Sequence, residues 1–427
     1  MKALSITGGR PLTGELEIHG AKNSVLPILA ACVLCPGTCT IHNCPEISDV
    51  DTAVEILEHL GCKVLRKKGS IRVDATSLVR YDISTALMSK MRSSILFIGA
   101  LLARVKTASF SMPGGCRLGR RPIDFHLQAF SSLGAIVENS GDTIICSAPF
   151  LEGANINLPS PSVGATENAI LAAMGANGLS RIRNAAREPE IADLCQFLCK
   201  LGARIAGIGT SELLIEAAEP LRPGEYWVMP DRIETATYLA AVAGCGGQVL
   251  LKKAKSCYLK PVVQVLKNSG CEIEEKEQGI RMYASERLNS PGIIHTAPYP
   301  GFPTDAQAPV MAALLRARGQ TLVVDQIFEN RFQHVTELKK LGANIFQEGC
   351  HAIVRGVEQL SGAPLQAKEL RGGAALVIGA LGANGCSIIT GVEYMERGYD
   401  SLVKNLSACG AEIKQVEYFP KMVYNTL

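Results

Sequence analysis

The feature that most restricts this chain's fold is a segment that occurs six times. "LGCKVLRKKGSIRVDA" from 60, "LGAIVENSGDTIICSA" from 133, "LGARIAGIGTSELLIEA" from 201, "SGCEIEEKEQGIRMYA" from 269, "LGANIFQEGCHAIVRG" from 341 and "CGAEIKQVEYFPKMVY" from 409 share one pattern. Their glycines stand at 61, 134, 202, 270, 342 and 410, at intervals of 68 to 73 residues. Self-similarity at a fixed period signals a repeated supersecondary unit. Each segment reads as a glycine helix stop followed by a β-hairpin, the glycine supplying a left-handed C-cap. The residues before the stop, as in "SDVDTAVEILEHLG", "EIADLCQFLCKLG" and "YLKPVVQVLKNSG", place apolar side chains three and four apart, the spacing of an amphipathic helix.

Between consecutive hairpins lies a more apolar helix, such as "KMRSSILFIGALLAR", "VGATENAILAAMGA", "RIETATYLAAVAG", "TDAQAPVMAALLR" or "LRGGAALVIGALG", followed by a β-like run. A helix apolar on most faces is buried. One unit is therefore strand, buried helix, strand, amphipathic helix and hairpin, and the predicted class is α/β with helices inside and sheets outside. The chain also repeats at half its length. "PLTGELEIHGAKNS" at 11–24 matches "PLRPGEYWVMPDRIET" at 220–235, with Gly14 and Gly224 in register. Three units per half follow. A first strand at about 1–20 is expected to complete the second half, so the predicted domains are 22–230, and 1–21 with 231–427. A cleft between two such domains is where a ligand is expected.

The chain has 427 residues, more than one core ordinarily serves, which fits two domains. Aromatics make up 5% with one Trp, too few for base-stacking platforms, and a net charge of +3 implies no polyanionic partner, so nucleic acid is not expected. The start, "MKALSITGGRPLTG", lacks the apolar stretch of a signal peptide, and no apolar run reaches membrane-spanning length. The 15 cysteines then read as reduced thiols of a cytoplasmic protein. Cys32, Cys35, Cys39 and Cys44 with His42 have a spacing that permits zinc. However, Cys32 and Cys35 fall at the end of a predicted buried helix, and the other units have that element without the cluster. No metal is expected.

The stretch "SMPGGCRLGRRPIDFH" holds the most reactive combination. Cys116 follows two glycines and sits near Arg117, Arg120 and Arg121. Nearby guanidinium groups lower a thiol's pKa, and a glycine-rich loop can close over a ligand. A free cysteine tolerated in a turn is the other reading. Arg92, Arg120, Arg121, Arg331, Arg371, Arg397 and Lys22 lie at or near predicted helix starts or in the loops before them. A cation is disfavoured at a helix N-terminus unless an anion comes to it, so the set suggests a small, multiply charged anion; solvated surface charge is the alternative. "PSVGATEN" at 161–168 could cradle a phosphate or simply cap a helix. Asp305 in "YPGFPTDAQ" reads as an N-cap, or as a general base where a hydroxyl lies within reach. There is no Walker loop and no strand-linked dinucleotide glycine motif.

Taken in order, "GELEIHGAKNSVLPILAA", "SDVDT", "MRSSI", "PGGCRLGRRPIDFH", "PSVGAT", "NAAREPEI", "PDRIET", "TAPYPGFPTDAQ", "FENRFQHV", "LRGGAALV" and "ERGYD" resemble the enolpyruvyl transferases over nearly the whole chain. Within that family they resemble the group acting on UDP-N-acetylglucosamine. The resemblance implies two inside-out α/β barrels of three units each. It implies transfer of the enolpyruvyl group of phosphoenolpyruvate to the sugar 3-hydroxyl with release of phosphate, the first committed step toward peptidoglycan. A role in cell-wall growth, cell shape and division would follow. It implies no cofactor. On this resemblance Cys116 acts as general acid toward the phosphoenolpyruvate methylene and is the target of fosfomycin. Asp305 deprotonates the sugar hydroxyl. Lys22, Arg121 and Arg397 clamp phosphoenolpyruvate, with Arg92, Arg331 and Arg371 in support. Asn23, Pro122, Asp124, Phe125, Ser162, Val163, Gly164 and Ile327 line the nucleotide-sugar site. Ser48, Ser160 and His295 stand where some members carry lysine or arginine. The alternatives are a 5-enolpyruvylshikimate-3-phosphate synthase-like transferase, which would lack the thiol acid, and a silent paralogue that binds nucleotide sugar. A purely structural repeat scaffold would not need a reactive loop. The oligomeric state is not legible in the sequence.

Overall fold

A computed structural model describes residues 1–114, 122–216 and 220–419. The chain forms two compact units. A terminal unit comprises Met1–Ile18, Arg232–Ala297 and Gly301–Leu427; a central unit comprises His19–Asp231 with Pro298–Pro300.

Each unit is built on three inner helices. In the central unit these are Lys22–Ala31, Leu96–Val105 and Val163–Ala173. In the terminal unit they are Arg232–Cys245, Thr304–Ala313 and Leu370–Leu381, which pack on one another. Their sequences are apolar all round, and nearly every residue is buried, as the pattern requires. Each fully buried Leu, Ile or Phe contributes about 1.5–3 kcal/mol, and these helices share the core with buried strand and amphipathic-helix residues such as Leu4, Val249 and Leu338. The amphipathic helices, for example Ser48–His59 and Pro189–Lys200, end at the repeated glycines. All six of those glycines have φ between 90° and 112°, a conformation that side chains with a Cβ rarely adopt.

The strands form the outer layer, alternating buried and exposed residues, as in Glu212–Glu216. One sheet shows the common plan: Ile293–His295 pairs parallel with Gln320–Val324, which pairs antiparallel with His351–Arg355, the return strand of a hairpin with Asn344–Glu348. The sheet of Thr107–Ser111, Thr143–Ser147 and Ile136–Ser140 has three strands, with an isolated parallel bridge from Asp82 to Ser109 in the leading position.

Two strand assignments differ from the sequence reading. Residues 1–20 form two strands, Lys2–Thr7 and Leu12–Glu17, in different sheets. Gly8 separates them where a Cβ would fall 2.2 Å from the Ala380 carbonyl oxygen, and Gly9 takes a φ of 83°. The described strand of the sixth segment takes its partner from elsewhere in the chain. Glu412–Glu417 pairs with Lys2–Thr7, which lies between it and Cys386–Thr390 in the place a return strand takes elsewhere.

The half-length repeat marks an exchange of leading strands. Leu12–Glu17 pairs parallel with Gly247–Lys252, and Gly224–Trp227 pairs parallel with Thr38–His42. The two connecting stretches are bonded to each other: Asp231 N–H donates to the His19 carbonyl and Ala21 N–H to the Met229 carbonyl, both at 2.8 Å. Gly20 lies there because a Cβ would sit 1.7 Å from the Asn43 carbonyl oxygen.

Cys32, Cys35, Cys39 and Cys44 are all buried in the core. Cys44 donates its S–H to the Ile41 carbonyl, and burial pushes its thiol up to about 12. Among the described residues no group of three His, Cys, Asp or Glu side chains could hold a metal ion, and no helix is long and apolar enough to cross a membrane.

Candidate active site

In the terminal unit, Pro303 precedes the inner helix Thr304–Ala313 and sets its start; Asp305 lies in the first turn. The Asp305 carboxylate is held by two arginines remote in sequence. Arg331 Nη2 lies 3.0 Å from Oδ1, and Arg371 Nη2 and Nε lie 3.2 and 3.3 Å from Oδ2. The guanidinium-bearing side chains are 1% and 3% exposed, whereas that of Asp305 is 30% exposed. The carboxylate is thus held by two buried guanidinium groups while its own side chain keeps partial access to solvent. Arg331 also donates from Nε and Nη2 to the Thr304 carbonyl, at 3.2 and 2.7 Å. Arg371, at the start of the inner helix Leu370–Leu381, lies over the Tyr399 ring at 5.2 Å, and the Tyr399 hydroxyl meets Thr237 Oγ1 at 3.0 Å. Glu369 caps that helix, accepting from the backbone N–H of Arg371 and Gly372. Arg397 lies not at a helix start but at the C-cap of the short helix Val392–Glu396, where the negative end of the helix dipole favours a cation. Ile327 is 40% exposed, and its N–H donates to the carboxylate of the fully buried Asp325.

In the central unit, Lys22 opens the inner helix Lys22–Ala31, with Asn23 next to it. The Lys22 ammonium lies 2.7 Å from Asp49 Oδ2, with both side chains under a tenth exposed. Asp231 accepts from the Lys22 N–H at 3.0 Å. Ser24, two residues on, donates to Asp193, which also accepts from the Tyr226 hydroxyl and the Met229 N–H and so ties this helix to the exchanged strand.

A second group in the central unit forms around His126. Arg92 donates to the Pro122 carbonyl at 3.2 Å. Asp124 and Phe125 begin the helix Asp124–Ser132, whose His126 meets Asn168 Nδ2 at 2.8 Å. A Cβ on Gly164 would lie 3.3 Å from the His126 ring, so glycine lets "PSVGAT" close on this helix. Ser162 is the N-cap of Val163–Ala173, its hydroxyl accepting from Ala165 N–H at 3.4 Å. Asp124 and Phe125 thus open one helix, Ser162, Val163 and Gly164 lie at the start of another, and the two helices meet at His126. Burial, with Arg92 nearby, pushes the His126 imidazole down to about 3. Burial and Arg331 do the same to His334.

Both histidines are therefore expected to stay neutral, so these two of the seven imidazoles should show no NMR titration between pH 5 and 8. The unfolded chain takes up these protons below about pH 6.5, so stability is expected to fall as pH drops from there toward 3. A titration midpoint near 6.5 for either ring would contradict the burial described.

Cys116 and Arg121, with Arg117 and Arg120, lie outside the described residues. Sequence reasoning missed Asp49, Asp231 and Asp325. It inferred an external anion from the cations at helix starts; for Lys22, Arg331 and Arg371 a carboxylate of the chain itself is in contact. The available signal was the acid in "SDVDT" and "PDRIET".

A family model described as EPSP synthase (3-phosphoshikimate 1-carboxyvinyltransferase) matches residues 6–406. The chain is 47% identical over 416 residues to UDP-N-acetylglucosamine 1-carboxyvinyltransferase 2 of Caldanaerobacter subterraneus subsp. tengcongensis, covering 97% of this chain and 100% of the relative. It is 43% identical over 419 residues to UDP-N-acetylglucosamine 1-carboxyvinyltransferase of Granulibacter bethesdensis, covering 97% and 100%. Among solved structures, the enolpyruvyl transferase NikO from Streptomyces tendae is similar with a TM-score of 0.87 at 22% identity, covering 98% of this chain and 99% of that one. EPSP synthase from Acinetobacter baumannii is similar with a TM-score of 0.75 at 17% identity, covering 98% and 100%. These two structures share the fold of the chain.

Proposed function

The chain belongs to the enolpyruvyl transferase family, and from that premise we propose that it transfers the enolpyruvyl group of phosphoenolpyruvate to the 3-hydroxyl of UDP-N-acetylglucosamine, releasing phosphate. The choice of acceptor rests on near-full-length relatives at 41–47% identity, all bearing that substrate in their names. The likeness to EPSP synthase, at 17% identity, speaks only to the fold, so neither the shikimate acceptor nor a silent paralogue is favoured.

The single observation that carries the chemistry is the Asp305 carboxylate, held by the buried Arg331 and Arg371 and itself partly exposed. In this reading Asp305 accepts the proton of the sugar hydroxyl as its oxygen bonds to the central carbon of phosphoenolpyruvate. The Cys116 thiol gives its proton to the methylene carbon, which becomes a methyl group. The adduct then loses phosphate from the central carbon while the methyl group gives back a proton, and the enol double bond reforms. An acid on carbon and a base on the hydroxyl contribute about 10²–10⁴-fold each when well placed. Lys22, Arg121 and Arg397 hold the phosphate and carboxylate of phosphoenolpyruvate, with Arg92, Arg331 and Arg371 in support. Asn23, Pro122, Asp124, Phe125, Ser162, Val163, Gly164 and Ile327 line the nucleotide sugar. The reaction then serves peptidoglycan synthesis in the cytoplasm, and with it cell growth and division.

Treatment with fosfomycin in the presence of UDP-N-acetylglucosamine tests the thiol's place. Peptide mass spectrometry is expected to find one adduct, on Cys116. An unmodified Cys116 under those conditions would remove it as the acid.

A further inference from the structure

Asp325 is buried completely, yet it is a charged side chain distant in sequence from Asp305. Its Oδ2 accepts from the Thr304 hydroxyl at 2.7 Å. Its Oδ1 accepts from the N–H groups of Ile327 and Phe328 at 3.0 and 3.4 Å. Six residues on, Arg331 donates twice to the Thr304 carbonyl and once to the Asp305 carboxylate. The Phe328 ring lies 5.6 Å from the same guanidinium. The segment from Asp325 to Arg331 therefore grips the start of the helix Thr304–Ala313 at both of its own ends. Ile327 projects from the middle of that segment.

A charged acceptor makes shorter and stronger bonds than a neutral one, and the helix N-terminus favours its charge. Three donors meet this buried carboxylate, and losing any one of them would leave a buried polar group unpaired at a cost of about 1–3 kcal/mol. We propose that Asp325 and Thr304 are positioning residues: they lock the nucleotide-sugar contact at Ile327 in a fixed relation to the Asp305 carboxylate, so that binding the acceptor also aims its hydroxyl at the base. The inference rests on the reading of Asp305 and Ile327 given above. The coupling runs through two hydrogen bonds that Asp325 accepts, one from the Ile327 N–H and one from the hydroxyl of Thr304, the residue preceding the base.

Steady-state kinetics with phosphoenolpyruvate and UDP-N-acetylglucosamine tests this on the full chain. Thr304→Val keeps the side-chain shape and removes the donor. It is expected to raise KM for the nucleotide sugar and lower kcat, each by about 10-fold or more, since small misplacements at a reacting centre are costly. KM for phosphoenolpyruvate is expected to stay within about 2-fold, because the variant keeps the Thr304 carbonyl to which Arg331 donates. Thr304→Ser, which restores the donor, is expected to recover both parameters. Asp325→Asn keeps one oxygen for the Ile327 and Phe328 N–H groups but loses the charged acceptor for Thr304. It should reproduce the same split, and the double variant should be no worse than either single one. Unchanged kinetics in both Thr304→Val and Asp325→Asn, or equal rises in both KM values, would overturn the positioning role. Wild-type protein inactive with this acceptor would instead overturn the functional reading on which it rests.

Discussion

Asp305→Asn is expected to lower kcat for phosphate release by about 10²–10⁴-fold, the contribution of a well-placed general base. The amide keeps the size of the carboxylate and one acceptor oxygen, so Arg331 or Arg371 retains a partner. It cannot take the proton of an attacking hydroxyl. Its NH₂ group would also point donors at a guanidinium, both of which are buried. Some loss of stability is expected for that reason, but less than for Asp305→Ala, which would strip both buried cations of this carboxylate. The measurements are kcat, both KM values and the thermal midpoint of the same preparation. The account requires kcat to fall while KM for UDP-N-acetylglucosamine changes by less than about 10-fold, because a group needed mainly in the transition state affects kcat more than ground-state binding. A variant within about 10-fold of wild-type turnover would remove Asp305 from the role of base.

Lys22→Met is the second large effect, and it should appear in stability as well as turnover. The ammonium sits 2.7 Å from the Asp49 carboxylate in a place nearly closed to water. Removing one member of such a buried pair typically costs about 3–5 kcal/mol. In a unit of this size that corresponds to a fall of roughly 6–20 °C in thermal midpoint. If Lys22 also clamps phosphoenolpyruvate, turnover should fall by about 10²-fold or more. The two effects separate in the double variant Lys22→Met with Asp49→Leu. A buried ion pair replaced by apolar groups is often no less stable than the original, so the thermal midpoint should largely return. Turnover should not. Recovery of both would make Lys22 a structural residue only.

Much of the fold was legible because the repeats repeat their physics. Each unit needs a helix stop with a left-handed residue, and a glycine marks it at the same interval, as at Gly202 and Gly342. Each inner helix is apolar all round, so its burial follows from composition alone. What was not legible is pairing that depends on chain closure. "EIKQVEYFPKMVY" alternates well enough to suggest a hairpin, but Glu412–Glu417 pairs with a strand from the opposite end of the chain. The exchange of Leu12–Glu17 for Gly224–Trp227 was visible as a half-length match, yet nothing local says which sheet each joins.

The site shows the same division. Residue types and motif order pointed to Lys22, Asp305, Arg331 and Arg371 one by one. Their partnerships did not show, since Asp305 is 26 residues from one arginine and 66 from the other. A cation at a helix start asks for an anion, and the sequence does not say whether a ligand or the chain supplies it. Asp49 and Asp325 were hidden for a plainer reason: an acid near a helix or turn reads as a cap.

The central claim is the reaction itself, and its most direct test is phosphate release by the purified protein from phosphoenolpyruvate. UDP-N-acetylglucosamine and shikimate 3-phosphate are supplied as acceptors in parallel. The account predicts release with the nucleotide sugar alone, together with a product heavier by one enolpyruvyl group in place of hydrogen, and none of either with Cys116→Ala. Release with shikimate 3-phosphate, or with neither acceptor, would contradict it.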